Sequence, residues 1–193
     1  MSRWEPNARS RLAEAALRLY VARGFEQTTV AEIAKEAGLT ERTFFRHFAD
    51  KREVLFSGSD MLQELLVDTI AGVPGPVPPI DAVAAALDAA GTLLQQRPEF
   101  SRQRQAVIAA NPELQERELL KLASLGSAMA DALRRRGIAE PAASLTAEAG
   151  IAIFKIAFDR WQKEPGAVRD GDRDLRYFLR ESLAELRATI AGG

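Results

Sequence analysis

Apolar residues recur at three- and four-residue spacing along nearly the whole chain, a periodicity that predicts helices rather than strands. Prolines and glycines interrupt the pattern and mark where helices begin and end. In the first third of the chain the periodic segments are residues 8–24, 29–37, 40–47 and 50–71. Later segments begin at Ile80, Pro98, Pro112, Pro141 and Asp174. The sequence therefore predicts an all-α fold of about nine helices.

Two interruptions set helix ends in the second part of the chain. Residues 73–79, with the sequence VPGPVPP, contain four prolines and cannot continue a helix, so they predict a rigid connector. Pro165 and Gly166 predict the end of the helix that begins near Pro141.

Helix start and stop signals are densest between residues 28 and 51. Thr29 followed by Glu32 predicts a capping box, in which each side chain accepts a hydrogen bond from the other residue's backbone N–H. Gly38 supplies the left-handed residue that ends this helix. Thr40 then caps the next helix.

A second capping box, at Asp50 and Glu53, predicts the start of the longer helix over residues 50–71. Between the two boxes lie two short helices and a tight turn, and the second helix carries hydroxyl, charged and aromatic side chains on one face. This arrangement is typical of a helix-turn-helix, whose second helix enters the DNA major groove. The alternative is a helical hairpin that only packs against its neighbours, but packing alone does not explain the polar face.

The same stretch resembles the DNA-binding domain of the TetR family of bacterial transcriptional regulators, over roughly residues 9–56. Uncommon residues in a fixed order carry the resemblance. They are Arg11, Leu12, Ala15, Ala16, Leu19, Tyr20, Gly24, Phe25, Thr28, Thr29, Val30, Ile33, Ala34, Ala37, Gly38, Leu39, Thr40, Thr43, Phe44, Phe45, His47, Phe48 and Lys51. The resemblance implies an N-terminal three-helix helix-turn-helix domain followed by a C-terminal helical bundle that binds a ligand and dimerises.

The first turn of the predicted recognition helix, Thr40 to Thr43, holds the candidate base-reading residues. Arg42 is suited to read guanine through O6 and N7, and Glu41 to accept a hydrogen bond from cytosine N4. Contact with phosphate, or with solvent alone, is the alternative for both. Phe45 stands where the family usually has Tyr. It lacks the hydroxyl that would reach a phosphate and offers only apolar contact with a sugar or a thymine methyl group.

Three further residues are candidates for phosphate contact. Thr29 lies at a helix N-terminus, which favours an anion. His47 and Lys51 match positions that commonly meet the DNA backbone in the family. The alternative for His47 is a structural role, and the alternative for Lys51 is that of an ordinary solvated lysine. Phe44 and Phe48 are predicted to be core residues that fix the recognition helix to its neighbours.

Residues 98–125 resemble the C-terminal domain of a subset of these regulators that are linked to acyl-CoA-like ligands. This looser resemblance rests on Arg102 and Arg104 and on the stretches 108–114 and 117–120. It implies that the two arginines pair with phosphates or a carboxylate. It also implies an apolar tunnel lined by Phe100, Val107, Phe154 and Phe158. Helix-surface arginines over a packed core are the alternative.

The last two helices favour dimerisation. Residues 145–161 are apolar on more than one face, and the final helix has a wide apolar stripe. Burial of both helices within one monomer is the alternative. A single recognition helix reads only a few base pairs, and two-fold pairing doubles the contact. The family resemblance implies a homodimer formed by these two helices.

Composition excludes several classes of site. The net charge is −1, although residues 1–56 carry ten cationic and eight anionic side chains. The chain has no cysteine and one histidine, which excludes disulfides, thiolate zinc sites and multi-histidine metal sites. No nucleophile-and-base set is recognisable, so we expect neither an enzyme nor a cofactor. No apolar signal core and no membrane-spanning run are found, so we expect a cytoplasmic protein without a membrane partner.

Taken together, these patterns predict a DNA-binding domain at residues 1–56 and an effector-binding and dimerisation domain at residues 57–193. The expected function is a repressor that a small apolar or acyl-CoA-like effector releases from a palindromic operator in double-stranded DNA. The alternative is an effector-independent DNA-binding protein, either an activator or a nucleoid factor.

Overall fold

A computed structural model describes residues 8–164 and 173–192, and within this part the chain is helical without any strand, which confirms the predicted fold class. The first helices are α1 Ala8–Arg23, α2 Val30–Glu36, α3 Glu41–His47 and α4 Ser59–Gly72, with a 3-10 turn at Glu53–Phe56 before α4. The later helices are α5 Pro79–Leu94, α6 Pro98–Ala109, α7 Pro112–Arg135, α8 Ala142–Lys163 and α9 Leu175–Ala191. Among the described residues, no helix combines the length and the apolar character needed to span a membrane. Pro165 and Gly166, the predicted end of α8, lie outside the described residues.

The prediction of one continuous helix over residues 50–71 is wrong at its start. Asp50 does cap, since its Oδ1 accepts from the backbone N–H groups of Arg52 (2.8 Å) and Glu53 (3.1 Å). What it caps, however, is the 3-10 turn at Glu53–Phe56, and α4 begins only at Ser59. The turn buries three consecutive side chains, which the single apolar face of a surface helix cannot do.

The predicted connector is confirmed for residues 73–78, and Pro79 opens α5 at a position where proline costs no hydrogen bond. Arg136, just beyond α7, holds this connector to the end of α4. Its guanidinium donates to the backbone carbonyls of Ile70 (3.1 Å), Ala71 (3.4 Å), Val73 (2.6 Å) and Gly75 (3.0 Å). One side chain thus satisfies carbonyls that the end of α4 would otherwise leave unpaired.

The chain divides into two compact units, each with its own core. The first unit comprises the residues up to Asp60 together with Glu99–Leu120. Its core joins α1, α2, α3 and the 3-10 turn to apolar residues of α6 and α7. Buried residues at its centre include Leu12, Ile33, Phe44, Phe56, Ile108 and Leu114.

The second unit comprises Met61–Pro98 and the described residues of Lys121–Gly193. Its core is built by α4, α5, α7, α8 and α9. Buried residues at its centre include Ile70, Val83, Met129, Ile153, Trp161 and Phe178. Compactness does not assign a function, so the division into a DNA-binding and an effector domain at residue 56 stays a prediction.

Close approach of α8 to its neighbours in the second unit depends on Gly150. A Cβ at this position would lie 2.5 Å from Val83 Cγ1 and 3.1 Å from Met129 Cε. The branched valine cannot swing away without moving its own helix. Packing therefore requires glycine at this place.

Gly150→Ala is expected to lower the free energy of unfolding by about 1–3 kcal/mol, because the added methyl group overpacks a filled core. Gly72→Ala is the matched control, since its Cβ would meet no atom within 4 Å and alanine favours the helix. Urea denaturation followed by circular dichroism measures both variants. Equal stability of the two would contradict the close packing at Gly150.

Candidate nucleic-acid interface

The predicted capping box of α2 is present. The Thr29 hydroxyl oxygen accepts from the backbone N–H of Glu32 (3.3 Å), and the Glu32 carboxylate accepts from the backbone N–H of Thr29 (2.9 Å). The backbone and hydroxyl hydrogen bonds from Thr29 lower the pKa of the Glu32 carboxyl below its ordinary value. Thr29 is exposed, so the capped N-terminus of α2 lies at the protein surface.

The turn between α2 and α3 is fixed by one left-handed residue and one long-range hydrogen bond. Gly38 has a φ of +66°, a conformation that side-chain-bearing residues rarely adopt. The backbone N–H of Leu39 donates to the carbonyl of Ala34 (2.8 Å), which closes the end of α2. Arg11 on α1 donates from Nη2 to the carbonyl of Ala37 (2.5 Å). The turn is thereby tied to α1.

Helix α3, the predicted recognition helix, has a buried face and an exposed face. Thr40 caps it, accepting from the backbone N–H of Thr43 (3.2 Å). Phe44 is fully buried, and Phe48, just after α3, is buried beside it with the ring centroids 5.5 Å apart, so both are core residues as predicted. The opposite side exposes Thr40, Glu41, Arg42, Phe45 and Arg46.

Two of these exposed side chains make the surface of α3 different from the one expected from the sequence. Phe45 is 56% exposed although it is aromatic, which leaves a large apolar ring among polar groups. Arg46 is a further exposed cation on α3 that the sequence-based choice of DNA-binding residues omitted. The presence of a basic residue in the last turn of α3 was the sequence signal that could have identified Arg46.

His47 is half-buried at the end of α3, with its ring 6.5 Å from that of Phe48, measured between centroids. Its Nε2 is shielded from solvent and has no hydrogen-bond partner within the described residues. A phosphate contact would therefore use Nδ1 or require a small rotation of the ring. The predicted DNA contact of His47 stays a prediction.

Lys51 is tied to the segment that precedes α2. Its Nζ donates to the backbone carbonyls of Phe25 (3.0 Å), Glu26 (3.3 Å) and Thr28 (3.3 Å), and it lies 4.3 Å from the centroid of the Phe25 ring. An ammonium group has three N–H donors, and all three find protein acceptors here. Contact with a phosphate would require exchange of at least one of these hydrogen bonds.

The six candidate ligand-binding residues are divided between the two units. Phe100, Arg102, Arg104 and Val107 lie on α6 in the first unit, where Phe100 and Val107 pack with its core. Phe154 and Phe158 lie on α8 in the second unit, stacked with their ring centroids 5.7 Å apart. A role of these residues in ligand binding stays a prediction.

One face of α8 remains apolar and exposed. Leu145 is 66% exposed and Ile156 is 55% exposed. Ala149 and Ala152 lie between them at helical spacing, so the four residues form one stripe. We call this stripe the α8 apolar stripe. On α9, Ile190 is also exposed.

Two family models match the chain. One, described as bacterial regulatory proteins of the tetR family, matches residues 12–57. The other, described as the MftR C-terminal domain, matches residues 77–191, which is more than half of the chain.

The curated relatives are transcriptional regulators. The chain is 37% identical over 81 residues to the regulator TcmR of Streptomyces glaucescens, a match that covers 42% of this chain and 36% of TcmR. It is 29% identical over 125 residues to the transcriptional regulator MftR of Mycobacterium tuberculosis, covering 65% of this chain and 63% of MftR. The chain thus spans less than two thirds of the length of either relative.

Several solved structures share the fold. A complex of SmeT with triclosan superposes with a TM-score of 0.60 at 20% identity, covering 92% of this chain and 90% of SmeT. FadR of Thermus thermophilus, in complex with lauroyl-CoA, gives a TM-score of 0.52 at 24% identity, with 91% of each chain covered. At these identities the likeness shows the fold alone.

Lys51→Met is expected to lower the free energy of unfolding by about 1–2 kcal/mol, because three backbone carbonyls lose a charged donor. Lys35→Met removes an exposed lysine from the last turn of α2 and serves as the control. Urea denaturation of both variants tests the expectation. Identical midpoints would mean that the ammonium group of Lys51 does not hold the segment before α2.

Proposed function

Because the chain belongs to the TetR family of bacterial transcriptional regulators, we propose that it is a DNA-binding repressor that a small-molecule effector releases from a palindromic operator. The observation that carries the proposal is the two-sided character of α3. Phe44 fixes the helix to the core, while a capped N-terminal turn presents Thr40, Glu41 and Arg42 to solvent. A major groove admits such a helix with its N-terminal residues toward the base edges.

In this proposal different residues contact the bases, the sugars and the phosphates of the DNA. Arg42 reads guanine and Glu41 reads cytosine, while Thr40 and Thr43 contact the groove through their hydroxyl groups. Phe45 contacts a sugar or a thymine methyl group. Thr29, His47 and Lys51 set the position of the helix on the phosphate backbone. The same proposal places the protein in the cytoplasm, with its DNA, and assigns it no enzymatic reaction.

The proposed effector is a small apolar or acyl-CoA-like molecule. The support comes from the fold shared with FadR, whose structure contains lauroyl-CoA, and with SmeT, whose structure contains triclosan. Phe154 and Phe158 are the proposed apolar contacts, because they are only partly buried on the core of the second unit.

We further propose that the protein acts as a homodimer through α8 and α9. The α8 apolar stripe exposes two large side chains separated by small ones, which suits close packing of two helices. A pair of recognition helices then meets two half-sites of a palindrome.

The repressor proposal is tested by selecting duplexes from random DNA with the full-length protein and measuring their affinity with and without lauroyl-CoA. We expect a palindromic sequence and a weaker affinity when lauroyl-CoA is present. Tight binding that lauroyl-CoA and other acyl-CoA or apolar probes leave unchanged would favour an effector-independent DNA-binding protein.

Arg42→Ala is expected to change sequence preference. Its affinity for the selected palindrome should fall by about 1–3 kcal/mol, the value of a good bidentate contact to a base, with a smaller loss on random DNA. Lys51→Ala should weaken binding to both duplexes alike. Fluorescence anisotropy measures the four affinities, and Arg135→Ala, an exposed arginine at the end of α7, controls for lost charge. Equal losses on both duplexes for Arg42→Ala would contradict its role in base reading.

Ile156→Glu is expected to convert the dimer into a monomer, because a carboxylate placed in an apolar interface loses its hydration. Lys155→Glu introduces the same side chain at the neighbouring exposed position and is expected to leave the dimer intact. Analytical ultracentrifugation distinguishes the two states. A dimeric Ile156→Glu variant would exclude the α8 apolar stripe as the interface.

A further inference from the structure

We propose that α6 and α7 position the recognition helix of the same unit through a polar network on residues 50–55, and that Arg117 is the principal positioning residue. We call the side chains that join residues 50–55 to α6 and α7 the 50–55 network. The inference rests on the proposed DNA-binding function but concerns residues that need not touch DNA. None of these residues belongs to the helix-turn-helix itself.

The α7 side of the 50–55 network is built from alternating charges. Arg117 Nε lies 3.0 Å from Glu53 Oε1, and its Nη2 lies 3.6 Å from Asp50 Oδ2. Arg52 donates from Nη2 to Asp50 Oδ2 (2.6 Å), and its Nη1 lies 3.7 Å from Glu113. Two residues of α7, Glu113 and Arg117, thus pair with three charged residues in the segment that follows α3, namely Asp50, Arg52 and Glu53.

The α6 side is built around Arg104. Its Nε donates to the backbone carbonyl of Leu55 (2.7 Å), and its guanidinium carbon lies 4.9 Å from the centroid of the Phe56 ring. Its Nη1 lies 3.5 Å from Glu118, which also accepts from Gln105 Nε2 (3.0 Å). Arg104 therefore fixes the backbone of the 3-10 turn, while Glu118 fixes Arg104.

The 50–55 network is more shielded than an ordinary surface cluster. The side chains of Glu53, Arg104 and Glu118 are only 21%, 22% and 23% exposed. Burial acts to raise the pKa of the Asp50 carboxyl, but hydrogen bonds from Arg52 and from the backbone N–H of Glu53 outweigh it, so this pKa lies below its ordinary value. Salt screens shielded pairs less than exposed ones, and removal of one partner leaves a poorly hydrated charge.

The segment that the 50–55 network holds also supports the helix-turn-helix through hydrogen bonds. Lys51 lies inside it and donates to the carbonyls that precede α2. Tyr20 of α1 donates its hydroxyl to the Lys51 carbonyl (2.7 Å). A shift of residues 50–53 would therefore displace the end of α3 directly, and it would displace the start of α2 through Lys51.

Salt dependence distinguishes a positioning residue from a phosphate contact. Loss of one phosphate contact reduces the slope of log affinity against log salt by about 0.9. Loss of a positioning residue weakens binding but leaves the number of released counterions, and hence the slope, unchanged. A residue that only stabilises the fold would change neither the affinity nor the slope while the protein remains folded.

The experiment uses full-length Arg117→Ala, Glu53→Ala, the double variant and Arg117→Lys, with Arg134→Ala as the control. Arg134 lies on the same helix α7 and is paired with Asp131 and Glu140 at an exposed place. Affinity for the palindrome selected by the wild-type protein is measured over a range of salt concentrations. Hydrogen–deuterium exchange of residues 41–56 is measured on the same samples without DNA.

We expect Arg117→Ala to bind the palindrome about 10-fold more weakly, which corresponds to about 1.4 kcal/mol, with an unchanged salt slope and faster exchange in residues 41–56. The double variant should bind no more weakly than Arg117→Ala, because both changes remove the same interaction. Arg117→Lys should recover part of the affinity, and Arg134→Ala should match the wild type.

Two results would overturn the inference while DNA binding by the wild type stands. One is wild-type affinity and exchange in Arg117→Ala. The other is a salt slope reduced by about 0.9, which would make Arg117 a direct phosphate contact. A wild-type protein that binds no duplex would instead overturn the DNA-binding premise, and the inference with it. A wild type that binds DNA but ignores effectors would leave the inference intact.

Discussion

The burial of Phe44 and Phe48 in the first unit is the constraint on which the proposed DNA-facing surface depends. A helix of seven residues such as α3 is too short to be stable alone, so its geometry comes from tertiary packing. The two rings fix both the depth and the rotation of α3. With that face buried, the exposed positions are Thr40, Glu41, Arg42, Phe45 and Arg46, whatever their own chemistry. The polar surface is thus a consequence of an apolar contact on the other side of the helix.

Hydrogen bonds from outside the helix-turn-helix complete this arrangement. Arg11 reaches the turn at Ala37, and Lys51 reaches the segment before α2. From α6, Arg104 reaches the carbonyl of Leu55, a residue 49 positions away in the chain. Each of these cations donates to backbone carbonyls, which are present whatever the local side chains are. The same device recurs in the second unit, where Arg136 holds the end of α4 and the connector that follows it.

Local signals predicted most of the fold, since prolines, glycines and Thr caps act within a few residues of where they stand. Thr29, Gly38 and Thr40 set helix ends as predicted, and Phe44 and Phe48 are core residues as predicted. The 3-10 turn at Glu53–Phe56 was missed, because Asp50 caps it with the same hydrogen bonds that begin an α-helix. Contacts between residues that are distant in the chain could not be predicted from the sequence either. Nothing near Arg104 or Lys51 in the sequence indicates that their donors bind backbone carbonyls, or that Phe100 and Phe154 belong to different units.

We propose that the exposed face of α3 reads a specific sequence in duplex DNA. The most direct test is the affinity of the protein for a selected palindrome and for random duplex of equal length, at several salt concentrations. We expect a preference of at least about 10³-fold for the palindrome, with affinity that falls steeply as salt rises. Equal affinity for both duplexes, or affinity that salt does not change, would contradict it.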